Sequence, residues 1–290
     1  MTVPAIHIRQ AVLTALQEDL GSGDITTQSL FPTPIPARAE IRAQEPLTLA
    51  GIALAKQVFR ELDPQVRFPR SREDGDTVRP DAVILTCIGD GRCLLQGERT
   101  ALNFLQHLSG IATLTAKLCQ LIKGYPAIIL DTRKTTPGLR VLEKWAVRLG
   151  GAKNHRHTLS EGFLIKDNHL ALLRSRLSIE QACRLARQRA PHGLRISIEA
   201  ESLRQVREAL QGGADIILLD NMTPAMVQEA VALVGGRALI EVSGGVTVEN
   251  VRQFAEAGAD FISIGMLTHS APAVNISMSI EPLRTRRSFR

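Results

Sequence analysis

Six short apolar runs, each ending at a polar or glycine position and each followed by a helix-forming stretch, constrain this chain more than any other feature. They span residues 127–130, 163–165, 194–198, 216–219, 238–242 and 261–264. Their stops are Asp131, Lys166, Glu199, Asp220, Ser243 and Gly265, spaced 35, 33, 21, 23 and 22 residues apart. Continuous apolar strands alternating with amphipathic helices at that period predict a parallel sheet covered by helices, most naturally curved into a barrel. Six units fall short of the eight of a complete (β/α) barrel, so the barrel is expected to be open or incomplete.

The first third reads differently. Strand-like runs such as 37–43 and 82–88 are broken by Pro32, Pro34 and Pro36 ahead of the first and by the polar turn 72–76 ahead of the second, the pattern of an α+β sandwich. Leu102, Leu105, Leu108, Ile111, Leu114, Leu118 and Leu121 then recur at helical spacing over 98–123, a long connector with a break expected near Ser109 and Gly110. The expected division is an N-terminal α+β domain over 1–113, an α/β barrel catalytic domain over 114–270, and a C-terminal segment, 271–290, that returns to the N-terminal domain.

Composition excludes several classes of partner. The 290 residues are 44% hydrophobic and 22% charged, enough for a substantial core. They contain no apolar run long enough for a membrane span, and the first ten residues do not read as a signal peptide. A cytoplasmic protein without a membrane partner is expected. The net charge of +6 suits nucleic acid, but an aromatic fraction of 3% leaves few stacking platforms, so no nucleic-acid partner is expected. The basic tail 284–290 reads as a solvated terminus. Cys87, Cys93, Cys119 and Cys183 lack metal-ligand spacing and read as reduced packing residues.

Charge is concentrated where the barrel begins. Between Asp131 and His169 stand eight basic residues and four acids, so this window carries +4 of the chain's +6. Side chains at the carboxyl ends of parallel strands share one rim, and that rim is where chemistry is expected. Arginine forks and lysine ammonium groups from the first two strands suit carboxylates and phosphates, so a polyanionic small molecule is the first suspect. Glu199 and Asp220 follow on the middle strands and glycine-rich turns on the last two. Each has a plain structural alternative: strand-end charges keep loops soluble, the acids cap helices, Ser243-Gly244-Gly245 is ordinary turn chemistry, and His155 taken singly is as readily structural as functional.

At the level of motifs the chain resembles the quinolinate phosphoribosyltransferase family, also called nicotinate-nucleotide pyrophosphorylase (carboxylating). The resemblance runs over nearly the whole length. It is carried by residues 18–27 (EDLGSGDITT), 98–103 (ERTALN), 109–113 (SGIAT), 131–138 (DTRKTTPG), Asn154-His155-Arg156 and 164–169 (LIKDNH). It continues through Leu219-Asp220-Asn221, Ser243-Gly244-Gly245 and Leu267-Thr268-His269-Ser270.

The resemblance implies joining of quinolinate to phosphoribosyl pyrophosphate (PRPP), with release of pyrophosphate and CO2, to give nicotinate mononucleotide for NAD synthesis. It implies that Arg133, His155, Arg156 and Lys166 meet the two carboxylates of quinolinate with Thr132 beside them, and that Arg99 reaches in from a partner subunit. It places Lys134 at the transferred phosphoribosyl group, Glu199 and Asp220 on ribose hydroxyls and Mg²⁺, and Ser243, Gly244, Gly245, Ser263, Ile264, Gly265 and His269 around phosphate. A homo-oligomer, dimer or hexamer, with a shared active site is implied as well.

The chain departs from the family pattern in Gly150-Gly151-Ala152-Lys153, which usually carries a third glycine and no lysine, at His157-Thr158, which replaces a more apolar pair, and at Ser197, where another acid often precedes Glu199; the last bears on Mg²⁺ binding. Rival readings are a molybdenum-operon paralogue, a nicotinate-preferring phosphoribosyltransferase, a Schiff-base lyase using Lys134 or Lys166, and a non-catalytic binding protein. Retention of Arg133, His155, Arg156 and Lys166 favours a dicarboxylate substrate.

Overall fold

The computed structural model describes residues 3–173 and 176–283. The basic tail 284–290, expected to be a solvated terminus, lies outside the described residues.

In chain order, helices α1 (Ala5–Leu20) and α2 (Ile25–Leu30) precede strand β1 (Pro36–Ala43), β2 (Leu47–Thr48), α3 (Ile52–Leu62), β3 (Arg67–Ser71), β4 (Thr77–Val78) and β5 (Val83–Asp90). The long helix α4 (Gly91–Leu121) leads to β6 (Ile128–Leu130) and α5 (Arg140–Leu149). Then come β7 (Phe163–Ile165), α6 (Asp167–Leu173), α7 (Ile179–Arg189), β8 (Ile196–Ala200), α8 (Leu203–Gln211), β9 (Ile216–Asp220), α9 (Pro224–Val234), β10 (Leu239–Ser243), α10 (Val251–Glu256), β11 (Phe261–Ser263), α11 (Met266–His269) and β12 (Ile276–Pro282).

The chain folds as two compact units. One comprises described residues within 1–116, 136–150 and 271–290; the other comprises 117–135 and 151–270. The division therefore differs from a single crossing near residue 113, because α5 belongs with the first unit although it follows the first strand of the second. Its partner explains this: the fully buried Glu143 of α5 meets Nε2 of His107 on α4 at 2.9 Å through one carboxylate oxygen and accepts the Thr136 backbone N–H at 3.1 Å through the other.

The first unit is built on an antiparallel sheet in the order β12-β1-β5-β3. Strand β1 alternates buried and less buried residues, placing Ala37, Ala39, Ile41 and Ala43 in the core. Strand β12 pairs with β1 from Ala37 opposite Pro282 to Ala43 opposite Ile276. Helix α4 runs without the break expected at Ser109 and Gly110. Those residues serve packing: Ser109 Oγ donates to the Ala50 carbonyl at 3.0 Å, and a Cβ on Gly110 would lie 2.2 Å from the Pro272 carbonyl oxygen. The glycine marks a close backbone approach rather than a turn.

The second unit carries a six-stranded parallel sheet in the order β6-β11-β10-β9-β8-β7. Strands β6 and β7 are its two edges, so the barrel is open, and the outer edge of β6 takes a single bridge from Leu130 to Lys153. Strand β8 is buried at all five positions, as a strand covered on both faces must be. Ile198, Ile217, Leu219, Val242 and Ile262, all 0% exposed, form its centre. Caps set the helix starts: Ser178 and Gln181 form a capping box on α7, and the Thr223 side chain accepts from Met226 N ahead of Pro224 on α9.

Candidate active site

Strand register brings the predicted rim together. Asp220, Ser243 and Ser263 stand in one row across β9, β10 and β11, with Leu130 of β6 in the same row, while Ile165 pairs with Ile198 so that Lys166 and Glu199 follow side by side. All the predicted site residues except Arg99 belong to the second unit. Arg99 is an exposed residue of α4 in the first.

The first wall is organised by Asp131. Its carboxylate is fully buried and accepts from Asn154 Nδ2 at 2.6 Å and from the His155 backbone N–H at 2.8 Å. Asp131 thus ties the end of β6 to the segment that carries His155 and Arg156. His155 Nδ1 accepts the Arg156 backbone N–H at 2.8 Å. Arg156 Nη1 donates to the Gly162 carbonyl at 2.8 Å, while its Nε is buried without a hydrogen-bond partner. Burial and then the charge of Arg133 push the Arg156 guanidinium below its usual range, with Glu199 opposing them. A guanidinium that is partly desolvated and further depressed by a second one nearby defines a place where an added anion is strongly favoured.

Beside them the second and third strand ends are already joined. Lys166 Nζ pairs with one oxygen of Glu199, and the Asp167 backbone N–H donates to the other at 2.9 Å. Burial raises the Asp220 carboxyl above its usual value, and the neighbouring Glu199 charge adds to the shift. A cavity of about 610 Å³ opens here, lined by Asp167, Glu199, Glu201, Asp220 and residues of α7 and α8; Arg133, Lys134, His155 and Arg156 are not in its lining. The site is therefore divided into a cationic wall and an acidic hollow.

Hard carboxylate oxygens at Glu199 and Asp220, near enough to influence one another, fit Mg²⁺ in the form it usually takes with phosphate substrates, held by one or two carboxylates and completed by substrate and water. Among the described residues no group of three or more His, Cys, Asp or Glu is arranged to hold a metal ion unaided.

The last two strands supply tight turns. Gly244 and Gly245 have φ of 84° and 63°, and a Cβ on Gly244 would lie 2.2 Å from Asn221 Oδ1. Asn221 itself has φ 55°, donates its backbone N–H to the Ser243 carbonyl at 2.9 Å and its Nδ2 to Asp220 at 3.0 Å. A Cβ on Gly265 would stand 3.1 Å from both Lys134 Cδ and His269 Nε2, so these three residues converge. The loop of Lys134 is pinned there, since its carbonyl accepts Thr268 Oγ1 at 2.7 Å and its backbone N–H donates to Thr132 Oγ1 at 3.0 Å. The Ile264 N–H is committed to the Leu130 carbonyl at 2.9 Å. Its role is to join β11 to β6.

One carboxylate emerges that the strand-end reasoning passed over; Asp131 was on the expected rim, as a strand end rather than as the buried anchor it is. Glu241 falls inside the apolar run 238–242; it is 2% exposed, accepts from Ser263 Oγ, and lies 3.5 Å from His155 Nε2. A charged residue inside an otherwise apolar buried strand was the signal available for it. Of the departures from the family pattern, Ser197 is buried on β8, Lys153 is exposed beside β6, and the His157 N–H donates to Glu161 at 2.8 Å.

Two family models match this chain: the N-terminal domain of quinolinate phosphoribosyl transferase over residues 24–109 and its C-terminal domain over residues 111–279. The chain belongs to the quinolinate phosphoribosyl transferase family. It is 44% identical over 263 residues to a probable nicotinate-nucleotide pyrophosphorylase [carboxylating] of Bacillus subtilis, covering 91% of this chain and 90% of that one. It is 37% identical over 298 residues to quinolinate phosphoribosyltransferase [decarboxylating] 1b of Nicotiana tabacum, covering 96% and 83%. The solved nicotinate-nucleotide pyrophosphorylase of Francisella tularensis superimposes with a TM-score of 0.91 at 36% identity, covering 97% of this chain and 98% of that one. A quinolinate phosphoribosyl transferase fold thus accounts for both units of the chain.

Proposed function

We propose that this chain catalyses phosphoribosyl transfer from PRPP to quinolinate with decarboxylation, giving nicotinate mononucleotide, CO2 and pyrophosphate for NAD biosynthesis. The observation that carries the choice of acceptor is the pairing of Arg133 with the partly buried Arg156 beside His155. One carboxylate on a pyridine ring needs one cation; two guanidinium groups near enough for one to depress the other call for two adjacent carboxylates. Quinolinate carries them.

Arg133, His155, Arg156 and Thr132 orient quinolinate so that its ring nitrogen faces ribose C1, and Lys166 borders the same carboxylates. Lys134, which converges with Gly265 and His269, lies against the transferred phosphoribosyl group. Ser243, Gly244, Gly245 and Gly265 surround the 5′-phosphate, Ser263 and Ile264 being engaged by Glu241 and Leu130, and Glu199 and Asp220 hold ribose hydroxyls and Mg²⁺. When bound, Mg²⁺ supplies neutralisation of the charge that accumulates on departing pyrophosphate. Once the ring nitrogen carries the ribosyl group it is cationic, and it stabilises the carbanion left on the adjacent carbon as CO2 departs. The protein's share is positioning and electrostatics, in which about 1 Å of misplacement costs on the order of a hundredfold.

The same proposal includes a homo-oligomer in which Arg99 of one subunit completes the site of another, and a cytoplasmic location. Four free cysteines, all with thiols raised by burial, are in keeping with a reducing compartment. Among the described residues no helix is long and apolar enough to cross a membrane.

Incubation of the protein with PRPP, Mg²⁺ and either quinolinate or nicotinate, following CO2 and mononucleotide, tests the reading. Turnover is expected with quinolinate. Mononucleotide from nicotinate alone overturns the assignment of the acceptor, and no product from either acid overturns the assignment of the reaction.

A further inference from the structure

Glu241 is a buried charge of the second unit to which the proposed chemistry gives no task. It sits on β10 two residues before the Ser243 turn, in the same row as Leu218 of β9 and, beyond it, Glu199 of β8. Its carboxylate oxygen Oε1 accepts the Ser263 hydroxyl and lies 3.5 Å from His155 Nε2. The groups that act on it are Lys166, Glu199, Ser263 and His155.

His155 is fixed from its other side. Asp131 accepts its backbone N–H, and its ring Nδ1 accepts the Arg156 backbone N–H at 2.8 Å. An imidazole nitrogen that accepts a backbone N–H carries no proton, so the ring proton belongs on Nε2, the nitrogen facing Glu241. The alternative tautomer would set an Nδ1–H against the Arg156 N–H and an Nε2 lone pair against a carboxylate, losing both interactions.

We propose that Glu241 is the positioning residue of the cationic wall: its buried carboxylate holds His155 as the neutral Nε2–H tautomer, and the bond to Ser263 ties that ring to the strand leading into Gly265. The inference rests on the reading of His155 as a group that meets the carboxylates of quinolinate. On this account His155 contributes a directed neutral donor, while Arg133 and Arg156 supply the charge. A neutral donor discriminates by geometry, which a third cation beside two guanidinium groups would do less well.

Glu241→Gln tests the proposal on the full chain. Because Oε1 serves both Ser263 and His155, the glutamine either keeps a neutral carbonyl there, which holds the Nε2–H less strongly than a carboxylate, or turns its N–H2 there, which favours a lone pair on His155 Nε2; either way the Nε2–H tautomer is weakened. With ¹⁵N-labelled histidine and no substrate, the wild-type protein is expected to show His155 protonated on Nε2 and bare on Nδ1, and the variant to shift toward the other tautomer. The quinolinate KM is expected to rise about tenfold, the equivalent of one directed hydrogen bond, with the PRPP KM changed less than about twofold. In a His155→Ala background the same substitution is expected to add no further rise, because Glu241 acts through His155.

Glu241→Asp, which keeps a carboxylate at shorter reach, should recover part of the affinity and serves as the probe if the glutamine variant does not fold. An unchanged tautomer, an equal rise in both KM values, or full additivity with His155→Ala overturns the proposal. The nitrogen spectra are read without turnover, so a wild-type protein inactive with quinolinate would sink the assigned reaction and leave this test intact.

Discussion

Lys166 and Glu199 close an ion pair across the ends of β7 and β8, and the backbone N–H of the next residue, Asp167, donates to the second oxygen of the same carboxylate at 2.9 Å. The Glu199 side chain is 8% exposed and that of Lys166 is 44%. The acid is therefore the buried member and the lysine the one that solvent and ligand can reach.

Lys166→Met leaves Glu199 buried with only the amide bond. A loss of about 1–3 kcal/mol in unfolding free energy is expected, together with a fall of at least about a hundredfold in kcat/KM for quinolinate. The double variant Lys166→Met, Glu199→Gln should regain much of the stability without the activity. A double variant as unstable as the single one would mean that the ion pair is not what the lysine stabilises.

Gly244→Ala introduces a Cβ 2.2 Å from Asn221 Oδ1 on a backbone with φ 84°. The turn must shift, so the PRPP KM is expected to rise about tenfold or more while quinolinate binding at equilibrium stays near wild type. Steady-state kinetics and calorimetry separate the two. Equal losses for both ligands would contradict a phosphate role for the turn.

Burial pushes the Glu241 carboxyl up to about 6, with Ser263 and Lys166 opposing the shift and Glu199 adding to it. Between the ordinary value of 4.5 and about 6 the native state keeps a proton that the unfolded chain has released. Stability from this group is thus present at low pH and lost as pH rises through about 6, on the order of 2 kcal/mol in all. Urea unfolding at pH 4.5 and pH 7 should show the Glu241→Gln variant gaining on the wild type as pH rises. A constant difference would show that Glu241 has an ordinary carboxyl.

Arg99→Ala and Lys134→Ala, each inactive or nearly so alone, should recover activity when unfolded and refolded together, since a mixed oligomer contains one site with both residues intact. Recovery toward about a quarter of wild type is the statistical expectation for a dimer that assembles at random with shared sites. Mixtures no better than the separate variants would remove Arg99 from a neighbour's site.

The rim of the second unit was legible in the sequence because parallel strands end at one level and each apolar run stops at its functional residue. Asp131 and Lys166 directly follow strands, Asp220 and Ser243 terminate them, Glu199 is one residue inside a strand end and Gly265 two beyond one. Pairings across the rim were not legible. Lys166 and Glu199 are 33 residues apart, and only the β7–β8 register makes them neighbours. Glu241 was hidden within an apolar run. The break expected at Ser109 and Gly110 had the composition of a loop, yet both residues answer to segments far away, Ala50 and Pro272. The position of α5 likewise depends on His107, 36 residues before Glu143, a contact that no local pattern encodes.

Strand β12 lies at the edge of the first sheet and pairs along the whole of β1. The strand that emerges from the ribosome at residues 36–43 therefore waits for a partner at 276–282, after the entire second unit has been synthesised. The unit that begins the chain is the last to be completed during translation, and until then an edge of β1 is open to other strands.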